Sequence, residues 1–347
     1  MPTPRKTYLA LALPCALMAS AQAASELPVH TLANGSVTAT VTDAIGGRLL
    51  SFGLAGQPSF LKVDTAAGNP GAPIDATLDN VGYLGHEVWI GPQKEWWSHQ
   101  DVNPARAGAP WPPDPYLGLA RYRVEDKRAD AVTLASPASP VNGLQLVKRY
   151  SLVEGKPHSL RLEVDAANVR TSQVAWDIWF NTRAHADTRV YVPVARRDDV
   201  RQQAIEPKPD MMPLTWTLAD GLFSLDPYRA GKGQPHRNGK MLLQPSAGWM
   251  AGFHGKQVLV IQFTHQPRAA IHPDQGQVEL YNDWQPDAPD KGLMEMEVHA
   301  PYVKLAPGRH MQASELWTLL PYDGPDTRRA HVAFLRAHAK ALGLKGM

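Results

Sequence analysis

In the segment Leu293-Met294-Glu295-Met296-Glu297-Val298-His299, a charged or titratable residue stands at every second position from Glu295. In an extended strand successive side chains point to opposite faces. Met294, Met296 and Val298 then share one face, and Glu295, Glu297 and His299 share the other. Two carboxylates and an imidazole would follow one another at about 7 Å along the strand. On the floor of a cleft such a row could take a proton from a hydroxyl, given suitably tuned pKa values. On the outer face of a sheet it would simply be solvated. The stretch 173–181 divides in the same way, with Trp176, Ile178 and Phe180 facing Asp177, Trp179 and Asn181 across the strand. An acid, an indole and an amide on one face suit a polyol, which offers hydroxyls to polar groups and an apolar C–H face to an aromatic ring. The other reading makes Trp179 a sheet-surface residue covered by a loop.

A proline- and tryptophan-rich stretch, 91–116, carries the same chemistry. Trp89, Trp96, Trp97 and Trp111 could stack on sugar rings, with His86, Glu87, Gln93 and Asp114 supplying hydrogen bonds; alternatively the indoles pin a long loop to the sheet, since large aromatics usually bury. Thirteen histidines raise the question of a metal. The sequence holds no HExxH motif, no cysteine pair and no close His-x-His, and His99, Asp101 and His86 make only a weak set. Neither a metal nor a cofactor is expected. A Gly-x-Ser-x-Gly elbow, a Walker loop and a dinucleotide fingerprint are also missing.

The elements that must position these residues are mainly strands. Period-two alternation predicts strands over 36–42, 143–153, 159–164, 257–264, 277–282, 293–299 and 312–320. Many short strands at close spacing predict a mainly β protein built as a large antiparallel sandwich. Helix is scarce. The spacing of Ala330, Phe334, Ala337 and Ala341 predicts one packing helix over 326–342, ended by Gly343. The stretches 91–116 and 196–213 do not fit strands, and loops of that length are usually functional. No repeat and no linker divides the chain.

These pieces together resemble a known family. Ile45-Gly46-Gly47-Arg48-Leu49-Leu50-Ser51-Phe52 is similar to the opening strand of galactose-mutarotase-like (aldose 1-epimerase-like) proteins. Gly85-His86-Glu87-Val88-Trp89, then Gly91-Pro92-Gln93 and Trp111-Pro112-Pro113-Asp114-Pro115, resembles an uncharacterised bacterial subgroup with that fold. The run from Glu295 through Leu305-Ala306-Pro307-Gly308 to Leu316-Trp317-Thr318-Leu319 resembles its closing pattern. The resemblance implies a β-supersandwich with a sugar-binding groove. It further implies a glutamate that takes the anomeric proton and a histidine that protonates the ring oxygen. Glu297 matches the base, with Glu295 as the neighbour two residues away. The acid departs from the pattern: Trp179-Phe180-Asn181 matches the run after the family's histidine, but Asp177 stands in the histidine's place. An aspartate is ionised at neutral pH unless its pKa is strongly raised. Either His86 or His299 supplies the proton, or turnover is lost and binding remains. The implied sugar-binding residues are Arg48, His86, Trp89, Gln93, Trp111, Trp179 and Asn181.

The ends and the composition set the context. Arg5 and Lys6, an apolar run to Met18 and Ala21-Gln22-Ala23 have the order of a cleavable export signal over residues 1–23. Cleavage there would leave 24–347 as one domain, working in the periplasm or outside the cell, with 33 basic and 33 acidic residues. It would also remove Cys15, the sole cysteine, and with it disulfide and thiolate chemistry. No basic patch points to nucleic acid and no second long apolar run points to a membrane span. Three functions follow: an extracytoplasmic protein that binds a carbohydrate or glycan, a sugar epimerase, or an envelope assembly protein using the tryptophan loop as an interface. Nothing in the pattern selects an oligomeric state.

Overall fold

A computed structural model describes residues 27–64, 73–203, 211–227 and 235–347. The expected export signal and Cys15 lie outside them. The alternating segments pair into two sheets, and among the described residues every pairing between neighbouring strands is antiparallel except that of Met211–Met212 with His236–Leu243. The first sheet runs in the order His30–Ala33, Val37–Thr42, Arg48–Leu54, His86–Gly91, Val174–His185, Leu293–His299, Val278–Trp284, His236–Leu243 and Val200–Gln202. The second contains Trp216–Ala219, Leu222–Leu225, Arg189–Pro193, Trp249–His254, Gln257–Phe263, His310–Pro321, Lys156–Asn168, Leu144–Val153, Ala131–Ala135 and Arg123–Lys127.

The apolar half of each alternation points between the sheets. Val88, Ile178, Phe180, Met294, Met296 and Val298 from the first meet Leu146, Leu162, Ile261, Trp317 and Leu319 from the second in one continuous core. Each such side chain contributes roughly 1.5–3 kcal/mol by leaving water. The polar half of the first sheet is thereby forced to its other face, which carries the site. The helix Arg328–Leu342 packs on the outside of the second sheet, burying Val332 and Leu335 against Trp249, Phe253 and Tyr322. Thr327 caps its start, and Gly343 ends it with φ 69°. Among the described residues no helix is long and apolar enough to cross a membrane.

Two departures from the sequence expectations have simple causes. The stretch 196–213 was expected to avoid strands, but Val200–Gln202 and Met211–Met212 pair with His236–Leu243. Such short strands, open to solvent on one side, show no alternation to read. The Gly46-Gly47 pair makes a turn with φ of 63° and 53°. A side chain on Gly46 would meet the Gly118 carbonyl at 2.3 Å, so the turn is closed to other residues. Its carbonyls accept hydrogen bonds from Lys148 Nζ (2.7 Å) and Tyr150 Oη (2.8 Å), which fixes where Arg48 enters the sheet.

Candidate functional site

Register brings the polar face together. Glu297 lies opposite Asn181 and Glu279, Glu295 opposite Arg183 and Tyr281, and His299 opposite Trp179. Glu87 is paired with Asn181, and Trp89 with Trp179, on the other side of the central strand Val174–His185. Lys240 reaches the same surface from the strand opposite Tyr281.

Two ion networks cover this floor. In the first, Glu87 is held between Arg48 and Arg183, the latter at 2.6 Å, and Arg183 Nε reaches Glu295 at 2.9 Å. The Arg183 guanidinium also lies 4.6 Å from the Trp89 ring. Burial opposes charge on Glu87, but Arg48 and Arg183 outweigh it and lower its pKa. In the second, Lys240 Nζ stands 2.7 Å from both Glu279 and Glu297. The two carboxylates behave differently. Burial raises Glu297 to about 8 against the pull of Lys240, so it keeps its proton at neutral pH. Burial acts the same way on Glu279, but Lys240 and His299 hold it at about 2 and ionised. Glu297 also accepts a hydrogen bond from Asn181 Nδ2 at 3.2 Å. His299 sits 3.1 Å from Asp177 and 3.6 Å from Glu279. Burial disfavours its charge, yet these two carboxylates raise its pKa to about 9. Glu279, Glu297 and His299 bring donor atoms within 4.8 Å of one another, a spacing a metal could use. The Lys240 ammonium between the two carboxylates already supplies the positive charge there.

The tryptophan loop forms the wall. Trp96 and Trp97 are buried, their indoles donating to the carbonyls of Ile90 and Pro112, and Arg106 lies 4.9 Å over Trp97. They pin the loop, as one of the two sequence readings had it. Trp111 is different: 45% exposed, it stands edge-on to Trp89 at 6.3 Å. Trp89, Trp111, Trp179, Arg183, Lys240 and Glu295 line a cleft of about 380 Å³, with Gln93 and Tyr281 also on its wall. That is within the roughly 300–1,000 Å³ of small-molecule sites. The indole nitrogens of Trp89 and Trp179 and Asn181 Oδ1 are buried with no hydrogen-bond partner, an unusual concentration for one surface.

Several expected site residues do not reach the cleft. His86 turns to the core face: its Nδ1 is 2.9 Å from Thr182 Oγ1, and its ring meets Trp317 edge-on at 4.9 Å. Burial, reinforced by Lys148, pushes its pKa well down and keeps the ring neutral on the face turned away from the cleft. The strand phase explains this, because Glu87 and Trp89 point out and His86 must point in. Arg48 is buried and its terminal nitrogens donate to Leu84, Glu87 and Gly118, so it holds Glu87 from behind the cleft. Asp114 caps the short helix Pro115–Gly118 and accepts from Tyr116 N and Ser139 Oγ. His99 is exposed beside Glu95 and does not join His86. Glu297, His299 and Asp177 all sit on the expected face but are fully buried. The Trp179 ring lies 4.8 Å from that of His299 and lines the cleft in its place. The sequence reading missed Arg183, Lys240 and Glu279. Continuing the alternation two residues beyond Asn181 yields Arg183, and the strand over 277–282 already puts Glu279 opposite Val278 and Leu280. Lys240 follows a glycine and carries no such signal.

Gly91 allows the tightest approach in the site. A methyl group there would lie 2.4 Å from the Gln275 amide and 2.8 Å from both Asp177 oxygens. Gly91→Ala is expected to cost about 1–3 kcal/mol by overpacking, read as a lower urea midpoint. An unchanged midpoint would show that Asp177 and Gln275 are free to move aside.

The paired sheets and the polar face of the first define a galactose-mutarotase-like fold. A galactose mutarotase-like protein from Lactobacillus casei superposes with a TM-score of 0.54 at 12% identity, over 84% of this chain and all of that one. A galactose mutarotase related enzyme from Lactobacillus acidophilus gives 0.51 at 12%, over 86% of this chain and all of that one. A TPR-domain containing protein from Parabacteroides distasonis gives 0.52 at 15%, over 87% of this chain but 48% of its own. These likenesses concern the fold. By sequence, residues 29–320 match the family model described as Domain of unknown function (DUF4380), and the chain belongs to that family. No match is found among the curated proteins.

Proposed function

We propose that this is an extracytoplasmic carbohydrate-binding protein, exported by the signal over 1–23 and acting as one domain thereafter, in which anomeric turnover has been lost. The observation that carries this reading is the position of Trp179. It lines the cleft, while His299, Asp177 and Glu297 lie fully buried beside and beneath it. A ligand in the cleft meets the half-exposed Trp111 ring, the small exposed parts of Trp89 and Trp179, and the Arg183–Glu295 pair, a binding surface for C–H faces and hydroxyls. Among the described residues lining it there is no histidine to protonate a ring oxygen. Among the described residues Glu295 is the carboxylate lining this cleft, and Arg183 holds it in an ion pair rather than leaving it free as a base.

The charges also select against acidic ligands. Among the described residues each cation lining the cleft already holds an ionised carboxylate: Arg183 has Glu87 and Glu295, and Lys240 has Glu279. A carboxylated or phosphorylated sugar would add a negative charge without a free partner. Tryptophan fluorescence titrations with galactose, glucose and N-acetylglucosamine are therefore expected to saturate, with galacturonic acid at least about tenfold weaker than galactose. Trp111→Ala should weaken the neutral ligands by about tenfold, equivalent to about 1.4 kcal/mol, because its half-exposed ring loses one face to the ligand. Tighter binding of galacturonic acid, or no effect at Trp111, would overturn this reading.

A further inference from the structure

We propose that the cleft is half of a longer site, and that the natural ligand is a carbohydrate of at least two linked units. This deepens the carbohydrate reading and rests on it. A second cleft of about 310 Å³ adjoins the first and shares Gln93, Trp179, Gln203 and Lys240 with it. Each cleft alone reaches the lower end of the range for a small-molecule site, roughly 300 Å³. The four shared residues form the boundary between the two clefts. A glycosidic link crossing that boundary would place one ring in each.

The second cleft has the composition such a subsite needs. Pro92, Pro110 and Leu242 give it an apolar surface, and ionised Glu279 and the Lys94–Asp274 pair give it polar groups on floor and rim. It also holds an independent mark of ligation. Gln275, 5% exposed, lines it, and one polar atom of its amide meets His299 Nδ1 at 2.9 Å while the other has no partner. A buried amide is normally satisfied at both ends. A sugar hydroxyl can donate or accept, so it satisfies the free end, whichever atom lies there, once the buried amide turns toward the cleft it lines. The Lys94–Asp274 pair is half exposed and adds little to stability, so its position at the mouth is available for recognition.

The test compares chain lengths on the full protein by calorimetry. The ligands are galactose, glucose and N-acetylglucosamine, each with its α- and β-linked homodisaccharides. The expected result is a Kd at least about tenfold lower for one disaccharide than for its monosaccharide, one decade being about 1.4 kcal/mol. The double substitution Lys94→Ala/Asp274→Ala should shrink that ratio toward one. Equal Kd values for monosaccharides and disaccharides would overturn the second subsite and leave the carbohydrate reading standing. Undiminished disaccharide preference in the double variant would move the second unit elsewhere and also overturn it. Failure of every sugar to bind would remove the carbohydrate reading itself.

Discussion

Replacing Arg183 by methionine is expected to lower the free energy of unfolding by about 3–5 kcal/mol, the cost of breaking a buried ion network by removing one partner. Arg183 is 3% exposed on its side chain and holds two carboxylates at once. Without it, Arg48 still answers Glu87, but Glu295 loses its ion-pair partner and keeps only the longer-range attraction of Lys240. Denaturant melts provide the measurement. The paired substitution Arg183→Met/Glu295→Gln supplies the control, because it removes the orphaned charge together with its partner. It should recover a large part of the loss. Equal destabilisation in both variants would mean that the packing of Arg183 over Trp89, rather than charge compensation, was what had been lost.

The second large effect is a dependence of stability on pH set by buried acids. Glu315 lies on the core face of the strand His310–Pro321, accepting a hydrogen bond from Trp317 Nε1 at 2.8 Å. Burial raises its pKa from 4.5 to about 8, with the Trp317 bond opposing. The folded state therefore keeps a proton that the unfolded chain releases above its own pKa. That contribution to stability is fully present below about pH 4.5 and is lost progressively up to about pH 8. Glu297 acts with the same sign. In this window each such acid removes about 1.4 kcal/mol of stability per pH unit. Glu315→Gln keeps an acceptor for Trp317 and cannot ionise. Its unfolding free energy should fall less steeply between about pH 5 and pH 8, by one proton's worth. A slope identical to that of the parent would show that water or a cation reaches Glu315 in the folded state.

Much of this architecture was legible because a strand buried on one face alternates. The segment 293–299 forms the strand Leu293–His299 with its apolar and polar faces as expected, and the alternation over 143–153 and 257–264 reappears as Leu144–Val153 and Gln257–Phe263. The helix expected over 326–342 begins two residues later, after its Thr327 cap. Strands buried on both sides, such as Trp249–His254, had no alternation to show. The site was only half legible for a related reason. Strand phase says which face a side chain takes, but not whether a neighbouring indole will cover it. Glu297 and His299 were placed correctly on the polar face, yet both are fully buried, with the Trp179 ring against His299. The inward turn of His86 was available from phase alone once Glu87 and Trp89 were placed outward. The capture of Arg48 by Glu87 joins residues from separate strands, and no local pattern announces it.

The cleft is expected to bind neutral sugars without interconverting their anomers. One NMR experiment tests both halves: saturation transfer from protein to sugar, and magnetisation exchange between α and β anomers, in the same sample of galactose, glucose or N-acetylglucosamine. The predicted result is transfer of saturation to at least one sugar, with anomer exchange no faster than in buffer. Accelerated exchange would contradict the claim and assign turnover to Glu295 or to an opened Glu297. A panel with neither transfer nor exchange would contradict the carbohydrate reading altogether.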